Sequence, residues 1–274
     1  MKLKFNIGYP TVVIIPLLFV FSLLVLFAAF LHPEAAGAGG QPVATHHENQ
    51  PVAPTTSPSQ SATEAKGTIY LTFDDGPDRY TDDLLKVLAE NHVKATFFVT
   101  NCHPEYQNCI AKEYAAGHAV GVHSYSHNYA KIYSSEHAFW NDFDAMDKII
   151  VHQTGHPARL LRFPGGSNNL VSKKHSRGLM RKLTHEADER GLTYVDWNAQ
   201  CGDSDGLKTS YGVYRRMICQ VANSKEKNHI MLCHDIKPYT VKAVGQFIRW
   251  AKANGYAFAV VTPDGFNVHL QLNN

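Results

Sequence analysis

The sequence predicts an α/β fold, a parallel sheet alternating with helices that a chain of this length can close into an irregular barrel. Two observations carry that expectation. Short apolar runs alternate with helical stretches from residue 67 onward. Acidic, basic and histidine side chains recur at or just after the carboxyl ends of those runs, and in a barrel of parallel strands these ends form the catalytic face. Structural aspartates and histidines have no reason to prefer that end.

Strands are predicted near residues 68–73, 95–100, 119–122, 160–163, 193–197, 229–233 and 257–261, each a short run bounded by turn residues. Helices are predicted over 81–91, 136–153, 176–190, 211–222 and 240–254. Seven strands with intervening helices give a (β/α)7-type barrel. The 274-residue chain is long enough for one such domain with a substantial core, assigned to 67–274.

The amino-terminal part is organised differently. Residues 12–31 form an apolar run of 20 interrupted only by Pro16 and Ser22, and a helix of that length spans about 30 Å, the thickness of a bilayer's hydrocarbon core. Lys2 and Lys4 precede it and no further Lys or Arg follows until Lys66, so residues 1–31 read as a cytoplasmic tip and a transmembrane anchor with the rest of the chain outside. A cleaved signal peptide is the alternative, given the small residues Ala35 to Gly39. Either way the domain is expected to work outside the cytoplasm, as a single-pass membrane protein or, after cleavage, a secreted one. Residues 32–66, rich in Pro, Ala, Ser, Thr, Gln and Gly without apolar periodicity, read as a flexible linker. The net charge of +2 carries no nucleic-acid signal, and no obligate protein partner is implied.

Three segments bear chemistry: Thr72-Phe73-Asp74-Asp75-Gly76-Pro77, His123-Ser124-Tyr125-Ser126-His127, and Leu232-Cys233-His234-Asp235. Histidines four apart on a helical turn would grip one cation from the same side. Two histidines and one carboxylate are a standard catalytic zinc set, and Asp74 and Asp75 offer that carboxylate with a second left over as general base. Each segment alone is ordinary. A His-x-x-x-His arises readily by chance among 16 histidines, and Asp-Asp-Gly-Pro is simply a good turn.

Taken with Arg162-Phe163-Pro164-Gly165-Gly166 and the stretch Asp196-Trp197-Asn198 through Asp203, these segments resemble, in order, the five motifs of the polysaccharide deacetylase family, the NodB-homology domain of carbohydrate esterase family 4. The resemblance spans roughly residues 67–265 and implies that family's deformed (β/α) barrel. It also implies Asp75, His123 and His127 as metal ligands, Asp74 as general base and His234 as general acid. Arg162 would orient and charge-stabilise Asp74, keeping it ionised, and Asp203 would raise the protonated fraction of His234. The Gly165 amide would serve the oxyanion and Leu232 would line the acetyl pocket, while Trp197 would either form that pocket or pack in the core. Zinc suits the ligand set, as would cobalt, nickel or manganese.

Two details depart from the commoner family pattern. Gly165 stands where many members carry a larger, often aromatic residue, and Ser204 rather than Trp follows Asp203. The implied activity is metal-dependent hydrolysis of N-acetyl groups on an extracellular polysaccharide. Peptidoglycan N-acetylglucosamine is the first expectation, with chitooligosaccharide or acetylated xylan as alternatives on the same mechanism. A noncatalytic glycan-binding protein and a structural wall anchor are the readings from other classes, and the complete catalytic set opposes both. Five cysteines leave disulfides open, Cys102 with Cys109 and Cys201 with Cys219 being the pairs considered, with Cys233 a free buried thiol.

Overall fold

A computed structural model describes residues 65–274. The anchor or signal peptide expected at 1–31, and all of the 32–66 linker but its last two residues, lie outside the described residues. Among the described residues no helix is long and apolar enough to cross a membrane.

The sheet is built on β1 (Gly67–Asp74). Along one edge β1 pairs through Thr68 to Asp74 with β7 (Asn228–His234). Along the other it pairs with β2 (Thr96–Thr100) through Thr72 to Asp74 and with β8 (Tyr256–Phe258) through Gly67 to Ile69. Beyond β2 lie β3 (Ala119–Ser124), β4 (Leu160–Leu161) and β5 (Thr193–Tyr194), and β6 (Ala199–Gln200) flanks β7, giving the order β5-β4-β3-β2-β1-β7-β6. Every pairing is parallel, so both sheet faces must be covered, and all five residues of β2 are buried.

Alternate residues of β1 feed two cores, as the two-residue period of a strand requires. Ile69, Leu71 and Phe73 join the large core with helix residues such as Leu84, Leu88 and Phe247, whereas Tyr70 joins a smaller one with Phe98, Leu160, Val195 and Ile230. The large core is roofed by α1 (Thr81–Glu90), α4 (Glu136–Thr154), α6 (Leu179–Glu189), α7 (Ser210–Ala222) and α8 (Pro238–Ala253). Helix α4 starts where the Ser135 side chain accepts from the Ala138 amide and stops at Gly155, whose φ of 79° ends the helical repeat.

The structure corrects the predicted barrel. It has eight strands, and β5 and β6 end the sheet without pairing with one another among the described residues, so the fold is a curled half-barrel rather than a closed (β/α)7 ring. The predicted strand at 193–197 is cut to Thr193–Tyr194, and an unpredicted strand, β6, follows, whose Ala199 and Gln200 pair with Met231 and Leu232. Residues near the carboxyl terminus line the open side of β5. Asn267 Nδ2 donates to Tyr194 O (2.9 Å), Asp196 N donates to Val268 O (2.9 Å), and the His269 ring stacks on Tyr194 at 3.9 Å. The helix expected over 176–190 starts three residues late as α6, because Gly178, between α5 (Val171–His175) and α6, adopts φ 75°. Three short helices were not anticipated, α2 (Asn108–Ala115), α3 (Tyr129–Ile132) and α5.

Candidate active site

Asp74 is the last residue of β1, and Asp75 follows with φ 75°, a left-handed conformation that residues other than glycine seldom adopt and that often marks functional strain. His123 lies on β3, but His127 stands in the loop beyond it with φ 47°. The two histidines therefore do not share a helical turn, as their four-residue spacing suggested. A strand end followed by a tight loop brings them together, with ring centroids 5.2 Å apart.

That loop is held by a residue the sequence did not single out. Asp142, on α4 and 7% exposed, accepts from Ser124 Oγ (2.5 Å), Tyr125 N (2.7 Å) and Ser126 N (3.0 Å). Ser124 Oγ in turn accepts from the His127 amide at 2.9 Å, as a short hydroxyl beside a turn tends to do. Nothing local pointed to Asp142, which reaches the loop from a neighbouring helix.

Asp75, His123 and His127 present three ligand atoms within 4.8 Å of one another. Asp75 Oδ1 lies 3.6 Å from His123 Nε2 and 3.3 Å from His127 Nε2, close to the separation of about 3.3 Å between two ligands of a tetrahedral ion bound at about 2 Å. This Oδ1 is buried with no hydrogen-bond partner among the described residues, which is costly unless a cation satisfies it. His123 Nδ1 meets the Arg162 carbonyl at 2.8 Å, leaving Nε2 directed at Asp75. Burial draws His123 down to about 3, so its imidazole is neutral and available as a ligand. The residues present fit a divalent metal.

Arg162, fully buried just after β4, spends its donors inward. Nη1 donates to Asp74 Oδ1 (2.8 Å) and Thr72 Oγ1 (2.7 Å), Nε to Val195 O (2.9 Å) and Nη2 to Asp196 O (3.1 Å). Its guanidinium also lies over Phe98 (4.2 Å) and Trp197 (5.7 Å). The expectation that this arginine alone keeps Asp74 ionised needs adjustment: burial outweighs it and leaves the Asp74 carboxyl above its ordinary value. A raised carboxylate is the better base.

His234 closes β7. Asp203 lies beyond β6, not at the end of β5 as predicted, and the ladder between β6 and β7 brings it alongside. Its carboxylate meets His234 Nδ1 (2.8 Å) and accepts from His234 N (2.9 Å) and Thr240 Oγ1 (2.8 Å). Burial pulls His234 down, yet the Asp203 hydrogen bond and charge overcome it and carry the imidazole to about 9. Asp203 is raised by burial but lowered more by those same bonds, ending below its ordinary value. His234 Nε2 faces Asp75 Oδ2 at 3.9 Å, so the Asp203–His234 pair and the Arg162–Asp74 pair border the same three ligands.

Gly165 is exposed with φ 77°, and its amide has no acceptor among the described residues. Trp197 is half-buried against Gly166 and Arg162, and Leu232 is buried on the same face of β7 as His234. Tyr129, the first residue of α3, packs edge-on to His127 at 5.3 Å and also escaped the sequence reading. Burial and the Asp75 and Asp74 charges push its hydroxyl up to about 12. Asp235 accepts from Thr81 Oγ1 at the start of α1 and packs so tightly on Gly76 that a side chain there would overlap its carboxylate. The disulfides considered are not formed. All five cysteines are free, and Cys201 lies beside Cys233 rather than Cys219.

The polysaccharide deacetylase family model matches residues 61–185. A peptidoglycan-N-acetylglucosamine deacetylase of Bacillus cereus is 32% identical over 206 residues, 74% of this chain and 72% of that protein. This chain belongs to the polysaccharide deacetylase family. The catalytic domain of a peptidoglycan N-acetylglucosamine deacetylase from Eubacterium rectale shares the fold at a TM-score of 0.74 and 45% identity, covering 78% of this chain and 99% of that one. A chitin deacetylase of Arthroderma benhamiae is 30% identical over 187 residues, 66% of this chain and 46% of that protein. As a polysaccharide deacetylase the protein is a hydrolase, and the half-barrel is that of its solved relatives.

Proposed function

We propose that this deacetylase removes acetyl groups from N-acetylglucosamine of peptidoglycan, with a divalent metal, zinc for preference, held by Asp75, His123 and His127. The observation that carries the reading is the pairing of a raised buried carboxylate, Asp74, with a protonated imidazole, His234, across one ligand set. Two titratable groups pushed in opposite senses give one base and one acid. The relatives named as peptidoglycan deacetylases favour that substrate, and residues 12–31, read as an anchor, would hold the enzyme at the outer membrane surface facing the wall.

When bound, the metal supplies Lewis acidity toward the attacking water and the acetyl oxygen. Asp74, oriented by Arg162, accepts the proton of that water. As water adds to the acetyl carbon, the charge that develops on the acetyl oxygen is met by the Gly165 amide, and Leu232 and Trp197 enclose the methyl group. His234 then gives its proton to the sugar nitrogen, because an amine leaves poorly without one, and Asp203 stabilises the imidazolium until that moment. Acetate and a free amino sugar are the products.

The test is acetate release from peptidoglycan, chitin oligosaccharides and acetylated xylan in parallel, after chelation and zinc restoration, with Asp74→Asn alongside. Zinc-dependent release from peptidoglycan, lost by about 10² to 10⁴-fold in Asp74→Asn, is the expected outcome. Preferential release from chitin or xylan replaces the substrate, and zinc binding without release from any polymer favours a glycan-binding protein.

A further inference from the structure

Gly165 leaves a bare stretch of backbone beside the ligand set, and Tyr129 covers it. A Cβ built on Gly165 would stand 3.3 Å from both Cε1 and the hydroxyl of Tyr129. The ring is fixed from two other sides, edge-on to His127 at 5.3 Å and to Tyr133 at 6.0 Å. Tyr133 is itself tied to the loop, its hydroxyl donating to Pro164 O at 2.7 Å. The Asn128 side chain, accepting from Lys131 N, starts the short helix that carries Tyr129. Among the described residues the Tyr129 hydroxyl donates to no protein acceptor, and its ring packs on His127, one of the three candidate ligands. A phenol held on three sides between a candidate ligand histidine and the Gly165 backbone, with its one polar atom bonded to no protein group, has a donor to offer a ligand.

We propose that Tyr129 is a catalytic residue that donates a hydrogen bond to the acetyl oxygen beside the Gly165 amide, supplying the oxyanion site with a side-chain donor. Tyr129 keeps its proton throughout: the carbonyl π bond opens, the electron pair settles on oxygen, and the hydroxyl strengthens its hydrogen bond to that oxygen. The same placement accounts for the glycine. A larger side chain at 165 would compete with Tyr129 for one space, so the wall of the site is built from the loop after β3 instead of the loop after β4. The role rests on the deacetylase reading for its chemistry but not on peptidoglycan as substrate.

The experiment uses Tyr129→Phe, which keeps the ring and its packing and removes one oxygen. Turnover is measured on peptidoglycan, a chitin oligosaccharide and 4-nitrophenyl acetate, and affinity for methylphosphonate, a tetrahedral anion of acetyl size, is measured without turnover on the zinc-loaded protein. The expected result is a kcat lower by about 10²-fold on every donor the wild type accepts, KM within about threefold, zinc affinity unchanged and methylphosphonate about tenfold weaker. Unchanged kcat and unchanged methylphosphonate affinity overturn the proposal. So does a loss confined to the polymers, which would make Tyr129 a sugar contact, and so does weaker zinc binding, which would mean that it acts through His127. A wild type inactive on peptidoglycan but active elsewhere refutes the substrate and leaves Tyr129 to be judged on the other donors. Where no donor turns over, the methylphosphonate comparison decides alone.

Discussion

Strands β1, β3 and β7 run for eight, six and seven residues, while β4, β5 and β6 have two each. The long-strand half carries the candidate ligands and the proposed acid–base pair: Asp74, Asp75, His123, His127 and His234. The short-strand half carries the groups that orient them, Arg162, Gly165, Trp197 and Asp203. Backbone ladders hold the first half. In the second, buried polar side chains replace the missing ladder. Arg162 reaches two backbone carbonyls and two side chains, Asp196 accepts from Ser167 N, Ser167 Oγ and Leu270 N, and Asp203 ties β6 to β7 and α8. A half-barrel that does not close keeps its open side in register by satisfying every such group, since a partly satisfied network costs more than an apolar one.

The sharpest way to break this contrast is Arg162→Met. If polar side chains hold the short-strand half, the variant leaves Asp74 and two carbonyls unpaired and loses about 3–5 kcal/mol of stability along with most activity, read by urea denaturation and acetate release. Unchanged stability would mean that packing alone holds that half. Asp203→Asn is gentler. It removes the charge that lifts His234, so the imidazole loses its proton at lower pH and the alkaline limb of the rate profile moves down by about one to three pH units. A bound divalent ion pulls the same way, so the wild-type limb itself falls at or below about 9. A pH profile that does not move in Asp203→Asn would remove Asp203 from its proposed role.

The smallest effect probes the reverse case, a buried carboxylate that nothing satisfies. Glu113 on α2 is fully buried with both oxygens unpaired among the described residues, and burial, then the Asp235 charge, holds it well above its ordinary value. The folded protein keeps a proton that the unfolded chain releases, so its stability falls as pH rises above the ordinary glutamate range, by up to about 1.4 kcal/mol per pH unit for one proton. Asp235, pushed up to about 7 by burial, adds to the same trend. Glu113→Gln should flatten this slope and raise stability at neutral pH, as measured by urea denaturation across pH. A slope unchanged from the wild type would show that Glu113 is ionised in the fold.

Legibility in the sequence followed the same division. Apolar runs long enough to show a pattern located β1, β2, β3 and β7 within a residue or two, and the side chains at their ends converge as expected. Two-residue strands carry no periodicity, so β6 was missed and Asp203 was referred to the wrong strand, though the ladder still brings it to His234. The His123–His127 spacing anticipated that the two rings converge and was wrong about the backbone that achieves it. Asp142 and Tyr129 were missed for different reasons. The first acts from the next long helix, outside any motif, and the second sits two residues past a motif in a helix too short to announce itself.

The contact between Gly76 and Asp235 reaches beyond this one molecule. The two positions lie 159 residues apart in sequence, one beside the metal-ligand turn and one beside the proposed acid, yet neither can drift freely. A lineage that gained a side chain at 76 would first have to shrink the residue at 235, giving up its bond to Thr81, whereas the opposite order passes through an overfilled turn. The two sites are thus epistatic, and variation in this deacetylase has a permitted direction of travel there.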